Sequence, residues 1–443
     1  MQPLYIHFPG KRCLCNNINA TIKMLDNRIF EQTNNMLRDF SYVDNGVDFK
    51  KSITMDAAYC YSVHRGEKYN WARYLIRIFM PLQCVSFVRE LNAHKVLFSC
   101  WTNRRDYLEL ISAVQSGISE SGSVLIREAF KRKLRWPSLY YIRVFRKGFK
   151  CHASLATKVY LSFRLLDYVV ACRTMAKEAE KINFDAGHIY VPFNSSFGLE
   201  NALTQFLNHA GCKTFHLCHG LHFSPNYRFF SIDAFNKELI SAQVVLSWGQ
   251  GFVDNDKKLY NHNYTHEITG NPKYPDKTIA ISFHPKSCIV FLARGQYDEN
   301  NLKLLNVLRE YTSRNHLVVS VKPHPTDDIP TLKRLCAQNG FQLIEDKRTI
   351  KEVISSSNYG FAVSYETTSY FEAMYYDLIC FRFALEENES YGDFDDRFLT
   401  ADDLSNQIGK YSKMDFNQLS CKVQDLLEYE IGMGINRYSQ VLK

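Results

Sequence analysis

Short apolar runs alternate with amphipathic stretches along the second half of the chain. The runs are rich in β-branched and aromatic residues, as strands are, and they lie at residues 287–293, 318–322, 341–344, 359–363 and 378–381. Residues 348–356 and 367–376, between them, have the apolar spacing of helices. Because short connections join strands and helices in alternation, the pattern predicts a doubly wound parallel sheet.

A second block with the same alternation precedes it. Strand-like runs lie at 95–100, 188–192, 212–217 and 243–248, and helix-like stretches at 106–113, 156–181 and 198–210. Residues 1–90 contain helical patches, such as 69–87, without a clean alternation. We therefore predict an α/β fold with two Rossmann-like domains facing across a cleft, and a helical N-terminal region that the pattern leaves poorly defined.

The domain boundary is predicted where the periodicity stops. The turn Gly270-Asn271-Pro272 closes the first block, and the segment 272–286 contains three prolines, Pro272, Pro275 and Pro285. A chain of 443 residues also exceeds the usual limit of one hydrophobic core. The resulting assignment is a first domain at 1–272, a linker at 273–286, a second domain at 287–425, and a C-terminal helix at 426–443 that could cross back to the first domain.

Composition narrows the cellular setting. No apolar run approaches the roughly 18 residues needed to span a bilayer, and the first residues lack the basic-then-apolar pattern of a signal peptide. The 13 cysteines contain no Cys-x-x-Cys pair, so they are expected to be reduced and to form neither a zinc site nor a disulfide framework. These features predict a cytoplasmic protein.

The net charge of +8 is unevenly distributed. The segment Arg127–Lys150 carries nine basic residues and one acid, interleaved with aromatic and aliphatic residues such as Trp136 and Phe145. Such a mixture is typical of contact with an anionic membrane surface or a polyanionic acceptor, and equally of a solvated helix face packed on its apolar side. No nucleic-acid recognition motif is present, so we expect no nucleic-acid partner.

The most informative motif is the end of the run Val318–Lys322, which stops at Pro323-His324-Pro325. Two prolines cannot continue a central strand, so the histidine is held at the carboxyl end of the strand, where open parallel sheets bind ligands. A rigid turn that presents Lys322 and His324 there suits a phosphate or a nucleotide. The alternative is a strand exit in which the histidine only caps a turn.

A second polar group follows the strand at 359–363. Ser364, Thr367 and Thr368 lie where that strand ends and a helix is expected to begin, and hydroxyls with free N–H groups at a helix start can bind an anion. Simple capping is the alternative, because Ser and Thr are common caps. Both motifs lie on the carboxyl edge of one sheet, which favours a shared ligand.

The order of these motifs resembles bacterial capsule and surface-polysaccharide glycosyltransferases of the GT-B type, including families that use CMP-activated acidic sugars such as Kdo or sialic acid. His219-Gly220, Gly270-Asn271-Pro272, the Lys-Pro-His-Pro tetrapeptide and the later Ser/Thr group carry the resemblance, which covers residues 188–383. It implies a nucleotide-sugar donor bound by the second domain and a glycan or lipid-linked acceptor on the side of the first domain.

The resemblance also implies roles for residues of the second domain. The histidine of the His-Pro pair and the Ser/Thr group face the phosphate and ribose in such enzymes, and an acidic residue at the position of Glu372 contacts the donor. The resemblance gives Pro325, Ser364, Thr367, Thr368 and Glu372 as donor-binding candidates and His324 as the candidate acid or electrostatic catalyst. Lys322 and Arg294, each at the end of a strand-like run, are further candidate cations for donor binding; the alternatives are a salt bridge for Lys322 and a structural role for Arg294. The role of His324 is that of stabilising the leaving phosphate.

For the general base, the first domain offers His219, where Gly220 lets the chain pass close to a ligand; His222 and Asp233 lie nearby in the sequence. The Asp/Glu-Asp/Glu-Gly motif of bacterial sialyltransferases is absent there, and Asp298-Glu299-Asn300 is its nearest approach. A core histidine bonded to backbone is the alternative for His219.

The Asp-x-Asp pairs at Asp254 and Asp393 do not directly end a clear strand, so we expect no obligatory metal and no cofactor beyond the nucleotide sugar. Two other functions stay open. CDP-polyol phosphotransferases of wall polymer synthesis share the His-Gly and His-Pro pattern, and a non-catalytic nucleotide-sugar-binding protein could use the same fold.

Overall fold

The structure is a computed structural model, and it describes most of residues 29–443. The residues outside the description are 1–28, 63–75, 102–103, 119–121, 123–125, 182–183, 185–186, 221–230, 261, 294–297, 325–326, 346–347 and 386–393.

The described strands, in chain order, are β1 (Val43–Asp44), β2 (Val47–Asp48), β3 (Leu82–Cys84), β4 (Val96–Ser99), β5 (Phe130–Arg132), β6 (Ile189–Pro192), β7 (Lys213–Leu217), β8 (Val244–Ser247), β9 (Thr265–Ile268), β10 (Ser287–Phe291), β11 (Val318–Lys322), β12 (Gln342–Leu343), β13 (Phe361–Ser364), β14 (Cys380–Phe383) and β15 (Arg397–Phe398). The helices are α1 (Phe49–Ser62), α2 (Phe87–Ala93), α3 (Arg105–Ser116), α4 (Ile126–Ala129), α5 (Leu139–Gly148), α6 (Leu155–Ala179), α7 (Gly198–His209), α8 (Ser231–Glu238), α9 (Gln250–Leu259), α10 (Asp298–Arg314), α11 (Ile329–Asn339), α12 (Ile350–Ser355), α13 (Ser369–Tyr375), α14 (Ala401–Tyr411), α15 (Phe416–Ile431) and α16 (Tyr438–Val441). Residues 29–36 and 76–79 are also helical.

The first domain is built on a parallel sheet in the order β4-β6-β7-β8-β9. Its strands alternate between two cores, as a sheet covered on both faces requires. In β4, Leu97 packs with α6 and the N-terminal residues, whereas Val96 and Phe98 face the opposite core with α3. The N-terminal region therefore covers one face of this sheet, with α1 packed against α6 and α7.

The second domain is a six-stranded parallel sheet in the order β12-β11-β10-β13-β14-β15. Its first strand, β10, lies in the middle, and the chain fills one side and then the other. This reversal of strand order is the topological switch point at which open α/β sheets bind ligands beyond the carboxyl ends of their strands. The predicted fold class, with two Rossmann-like domains, is confirmed.

The boundaries of several predicted elements need correction. The helical patch at 69–87 is wrong in its last part, because Leu82–Cys84 is a strand that pairs with β5 and α2 begins only at Phe87. The region predicted as a C-terminal helix at 426–443 holds the end of α15 (Phe416–Ile431) and the short helix α16 (Tyr438–Val441). Alternating apolar residues shared by short strands and amphipathic helices explain the first error.

The C-terminal residues pack against the first domain. The residue after α15, Gly432, has a left-handed backbone with φ of 63°, and from there the chain turns towards β9. Tyr438 donates a hydrogen bond from its hydroxyl to the carbonyl of Gly270 over 2.7 Å, and Tyr438 and Leu442 are buried in the core beside β4 and β6. The Asn271 N–H also donates to the carbonyl of Ile431 over 3.0 Å.

The residues between the sheets, 273–286, pack along the second domain. Ile279 and Ile281 are buried, the Ala280 N–H donates to the Asp377 carboxylate over 2.9 Å, and the Ile281 N–H donates to Ser420 Oγ over 2.9 Å. The described cysteines are free thiols. Among the described helices, none has the length and apolar character that crossing a membrane requires.

Candidate functional site

The carboxyl edge of the second sheet brings the two sequence motifs to either side of β10. In register, Phe291 at the end of β10 lies opposite Lys322 of β11 on one side and opposite Ser364 of β13 on the other. The proline-bounded turn with His324 follows β11, and Thr367 and Thr368 follow β13. The motifs therefore lie around the switch point, two strands apart.

The His324 turn is held by an aspartate that the sequence analysis overlooked. The His324 N–H donates to the Asp327 carboxylate over 2.7 Å, and the Asp327 N–H donates to the His324 carbonyl over 3.0 Å. These paired bonds fix the backbone of the turn, and His324 is half-buried. Asp327 could have been identified in the sequence as an acidic residue three positions after a histidine at a strand end.

The group after β13 differs in part from the expectation. Ser364 is buried in the core. Burial raises the pKa of the neighbouring Cys380 thiol, and the Ser364 hydroxyl opposes that shift. The helix begins at Ser369 instead of Thr367, and the Thr367 hydroxyl accepts a hydrogen bond from the Ser369 N–H over 3.3 Å. Thr367 and Thr368 are half-buried at this edge.

Glu366, within the same loop, has a φ of 45°. A non-glycine residue with left-handed backbone costs energy and persists only where its surroundings impose it, often at binding sites. This backbone strain is an independent indication that the loop after β13 belongs to a binding site.

Glu372 lies one turn into α13 and is half-buried. Burial raises the pKa of its carboxyl, and the ammonium of Lys273 partly opposes that effect. Glu372 thus lies near Lys273 at the start of the linker.

On the first domain, His219 lies just beyond β7 against two aromatic rings. Its ring centroid is 4.4 Å from that of Phe193 and 5.6 Å from that of Tyr107. His219 Nδ1 lies 3.3 Å from the Leu217 carbonyl, which can only accept, so Nδ1 carries the proton. In the neutral ring Nε2 then holds the lone pair that a general base needs.

The neighbouring His216 is buried and plays another part. Its Nδ1 accepts a hydrogen bond from the Ser195 N–H over 3.2 Å. Burial, assisted by the charges of His219 and Lys237, holds the pKa of His216 well below its usual value. His216 is thus a neutral core histidine, the role that was the alternative for His219.

Glu200, which the sequence analysis also overlooked, lies at this edge in the first turn of α7. Burial raises the pKa of its carboxyl to about 8, although hydrogen bonds from Ser99 and from the backbone of Asn194 and Phe193 oppose the shift. Its carboxylate oxygen accepts from Ser99 Oγ over 2.6 Å. An acid at a helix start is ordinarily interpreted as a complement to the helix dipole, so the burial of Glu200 has no signal in the sequence.

The starts of α3 and α12, which belong to different domains, lie close enough for their charges to interact. Hydrogen bonds from Thr349 lower the pKa of the exposed Glu352 carboxyl, and the charge of Arg105 in the first domain contributes to the same effect. Arg105 begins the helix that follows β4, and Glu352 lies in the first turn of the helix that follows β12. The helix starts that follow β4 and β12 are therefore near each other.

The remaining predicted residues are placed as follows. Lys322 ends β11 and is half-buried. At Gly220 a Cβ would have no described atom within 4 Å. Arg294, Pro325 and His222 lie outside the described residues, as does Asp393, and nothing is described of the Asp233 side chain.

The described aspartates of the Asp-x-Asp pairs are bound to side chains. Asp254 accepts hydrogen bonds from Gln250 and from the Tyr429 hydroxyl, each over 2.7 Å. Asp395 accepts from Lys410 over 2.7 Å, and Asp256 is buried in the first domain. Asp254 and Asp256 therefore do not act together as a cation-binding pair.

The chain is similar to known proteins in its backbone structure. No protein-family model matches the sequence, and no curated protein matches it. A solved GtfA/B complex is similar with a TM-score of 0.43 and 11% identity over 61% of this chain, which spans 60% of the length of that protein. HepE from Anabaena, solved with UDP and glucose, is similar with a TM-score of 0.44 and 10% identity, over 79% of this chain and 98% of HepE. The lipopolysaccharide outer core galactosyltransferase WaaB is similar with a TM-score of 0.45 and 10% identity, over 78% of this chain and 99% of WaaB.

Proposed function

We propose that this chain is a glycosyltransferase that moves a sugar from a nucleotide donor onto a glycan or lipid-linked acceptor. The observation that carries the proposal is the register of Lys322, Phe291 and Ser364. It puts the His324 turn and the strained loop at Glu366 on the two sides of a switch point. Switch points of this kind bind nucleotides.

The donor side of the reaction needs positive charge and hydrogen-bond donors near the departing phosphate. In the proposed reaction, the bond between the anomeric carbon and the phosphate oxygen breaks, and its electron pair leaves with the phosphate. His324 donates a hydrogen bond or a proton to that oxygen, and Lys322 supplies charge. The Asp327 bonds to the His324 backbone keep the turn in place, which is how a loop presents a donor without reorganisation.

The acceptor side needs a base that removes a proton as the acceptor hydroxyl attacks the anomeric carbon. His219 has the tautomer for this role, with Nδ1–H bonded to the Leu217 carbonyl and Nε2 basic. Its position beyond β7 is on the carboxyl edge of the first sheet. The proposed reaction has no metal in its steps.

For the donor we propose a cytidine nucleotide, with CMP-Kdo or CMP-sialic acid as the activated sugar, on the strength of the motif resemblance. Thermal unfolding of the pure protein with CMP, CDP, UDP and GDP tests this. A nucleotide at 100 times its dissociation constant adds roughly 2.7 kcal/mol to the free energy of unfolding, so CMP should raise the melting temperature by several degrees.

Stabilisation by UDP or GDP alone would overturn the cytidine assignment and leave glycosyl transfer in place. Stabilisation by CDP without CMP, followed by transfer of the polyol phosphate from a CDP-polyol, would identify the phosphotransferase instead. Binding with neither transfer nor hydrolysis of any donor would indicate a binding protein.

For the acceptor we propose a site at an anionic membrane surface, reached through Arg127–Lys150. Five large apolar residues of this segment are exposed, and Trp136 has 85% of its surface accessible; the five are Leu134, Trp136, Leu139, Ile142 and Phe149, defined here as the apolar patch. Exposed basic residues, among them Lys131, Lys133 and Arg143, alternate with the patch along the chain. Apolar insertion beside positive charge is the pattern of a peripheral membrane contact.

Not every basic residue of this segment is available for that contact. Arg132 forms two hydrogen bonds with the buried Asp167 carboxylate, over 2.9 and 2.7 Å. Loss of one partner of such a pair is strongly destabilising, so Arg132 holds β5 against α6 and is unsuitable for testing the surface.

The triple variant Lys131→Gln, Lys133→Gln, Arg143→Gln is expected to lower binding to phosphatidylserine-containing vesicles by on the order of 100-fold, since each charge near such a surface contributes about 1 kcal/mol. Vesicle sedimentation measures this, and added salt should weaken binding by the parent protein. The matched control is Lys351→Gln, Lys413→Gln, Lys422→Gln, which removes three exposed charges from the second domain. Equal binding by both variants would return the segment to a solvated face.

A further inference from the structure

A buried group of two histidines and an aspartate lies in the first domain, away from the motifs discussed above. Asp256 projects from α9, His266 lies on β9, and His262 lies in the loop before β9. The Asp256 side chain is fully buried, and the His262 and His266 side chains are 10% and 4% exposed. Within the described part of the chain, these residues form the one group of three or more His, Cys, Asp or Glu side chains with the spacing of a metal site.

The orientation of each imidazole ring is fixed by a hydrogen bond at its Nδ1 atom. His262 Nδ1 lies 3.2 Å from the Tyr264 carbonyl, which can only accept, so this nitrogen is protonated. His266 Nδ1 lies 2.8 Å from Ser247 Oγ, and that hydroxyl donates onward to the Val245 carbonyl over 3.4 Å. Ser247 therefore accepts from His266, and both neutral rings direct the lone pair of Nε2 towards Asp256.

This is the outer arrangement of histidines that bind metal ions, whose second ring nitrogen usually donates to an oxygen that fixes the tautomer. The His262 ring is further held by stacking on Tyr264, with 4.0 Å between the centroids. Neither buried Nε2 has a hydrogen-bond partner. Without a cation between them, two lone pairs would face a carboxylate oxygen in a buried space.

The spacing of the three atoms matches a small ion better than hydrogen bonds. Asp256 Oδ2 lies 3.5 Å from His262 Nε2 and 3.4 Å from His266 Nε2, beyond the usual N–H···O range of about 2.7–3.2 Å. Two ligands about 2.0–2.1 Å from a tetrahedral zinc ion lie roughly 3.3–3.4 Å from each other. The Asp256 carboxylate is thus already at ligand-to-ligand distance from both imidazoles, and the three ligand atoms all lie within 4.8 Å of one another.

We propose that Asp256, His262 and His266 bind one divalent transition-metal ion of the zinc type, which fastens α9 to the edge strand β9. Two imidazoles and one carboxylate suit zinc and its neighbours, whereas magnesium and calcium prefer all-oxygen sets. Three protein ligands leave a fourth position for water. The ion stabilises the first domain and takes no part in sugar transfer, so this proposal stands independently of the proposed function.

Lys237 is the competing cation. Its ammonium lies 3.0 Å from Asp256 Oδ1 and 4.1 Å from the Phe252 ring centroid. The two histidines approach the other carboxylate oxygen, Oδ2. Tyr264 also donates its hydroxyl to Asp256 Oδ2 over 2.8 Å. The alternative to a metal site is therefore an internal ion pair between Lys237 and Asp256 that the histidines only surround.

The full-length protein, stripped with EDTA and dialysed, is expected to bind one zinc ion per chain and to melt at a higher temperature once zinc is restored. Metal analysis after gel filtration and calorimetric titration with zinc chloride measure the stoichiometry, and magnesium chloride serves as the comparison ion. His262→Ala and His266→Ala should each weaken zinc binding by about 100-fold or more, since loss of even an outer-shell partner costs about 10–100-fold.

Asp254→Asn is the matched control, because Asp254 lies two residues earlier on the same helix and accepts from Gln250 and Tyr429. It should bind zinc as the parent protein does. If the parent protein takes up no zinc at micromolar concentration, or if the two histidine variants bind it as tightly as the parent protein, the site is not a metal site.

Lys237→Met separates the two explanations without relying on a ligand variant. At a metal site, removal of the neighbouring ammonium tightens zinc binding by about tenfold or more, because like charges repel strongly in a buried space. In an ion pair without a metal, the same change leaves a buried carboxylate unpaired, and zinc does not restore the lost stability. The second result overturns the proposal even if the histidine variants fail to fold.

Discussion

Replacement of His324 by alanine is expected to lower the rate of sugar transfer by about a hundredfold or more while the protein remains folded. A positioned acid or electrostatic donor at a departing phosphate contributes an effect of this size. The fold should tolerate the change, because the turn is held through the His324 backbone and the Asp327 carboxylate, and alanine keeps that backbone N–H. Turnover of donor and acceptor is the measurement, with thermal unfolding to confirm folding.

The matched control is His316→Ala. His316 is exposed and precedes β11, at the opposite edge of the same sheet from His324, so its loss should leave turnover unchanged. If His324→Ala turns over donor at close to the parent rate, His324 only caps the turn. Retained nucleotide binding with lost transfer would place its effect in the chemical step.

Gly270→Ala is expected to destabilise the protein by at least about 3 kcal/mol. Gly270 has a φ of 81°, and a Cβ added there would overlap the carbonyl oxygen of Ile435 and lie 2.8 Å from that of Gly432. Left-handed backbone alone costs alanine about 1–2 kcal/mol, and the collision with backbone atoms adds to it because neither segment can move freely. Urea unfolding of the pure variant measures the loss.

Gly340→Ala serves as its comparison. Gly340 ends α11 with a φ of 70°, and a Cβ there would meet no described atom within 4 Å. It should therefore lose only the backbone term, about 1 kcal/mol. Equal losses of stability at the two glycines would mean that the chain after α15 does not pack closely against Gly270.

The carboxyl edge of the second sheet was predictable because its signals are local. Proline fixes where β11 stops, and apolar runs fix β10 and β13, so the positions of Lys322 and Ser364 at strand ends follow from the sequence. That the three strands are neighbours, in an order that reverses at β10, required the structure, since periodicity does not specify strand order.

The residues that the sequence analysis missed depend on contacts between distant segments. Asp256 and His266 belong to different elements, and the contrast between Asp256, which is buried, and Asp254, which faces Tyr429, follows from how α9 lies on the sheet. Glu200 is likewise an ordinary helix-start acid until burial changes its proton affinity. Arg132 looks like one more surface charge until β5 packs it against Asp167.

The packing of Tyr438 and Leu442 against β4 and β6 has a consequence for biosynthesis. Domains usually fold in order as the chain leaves the ribosome, N-terminal first. Here the core beside β4 needs side chains that are translated after the whole second domain. The core of the first domain is therefore incomplete while the second domain is being synthesised. Ribosome-bound chains arrested after β15 should expose this apolar surface to protease, and chains extended past Leu442 should protect it.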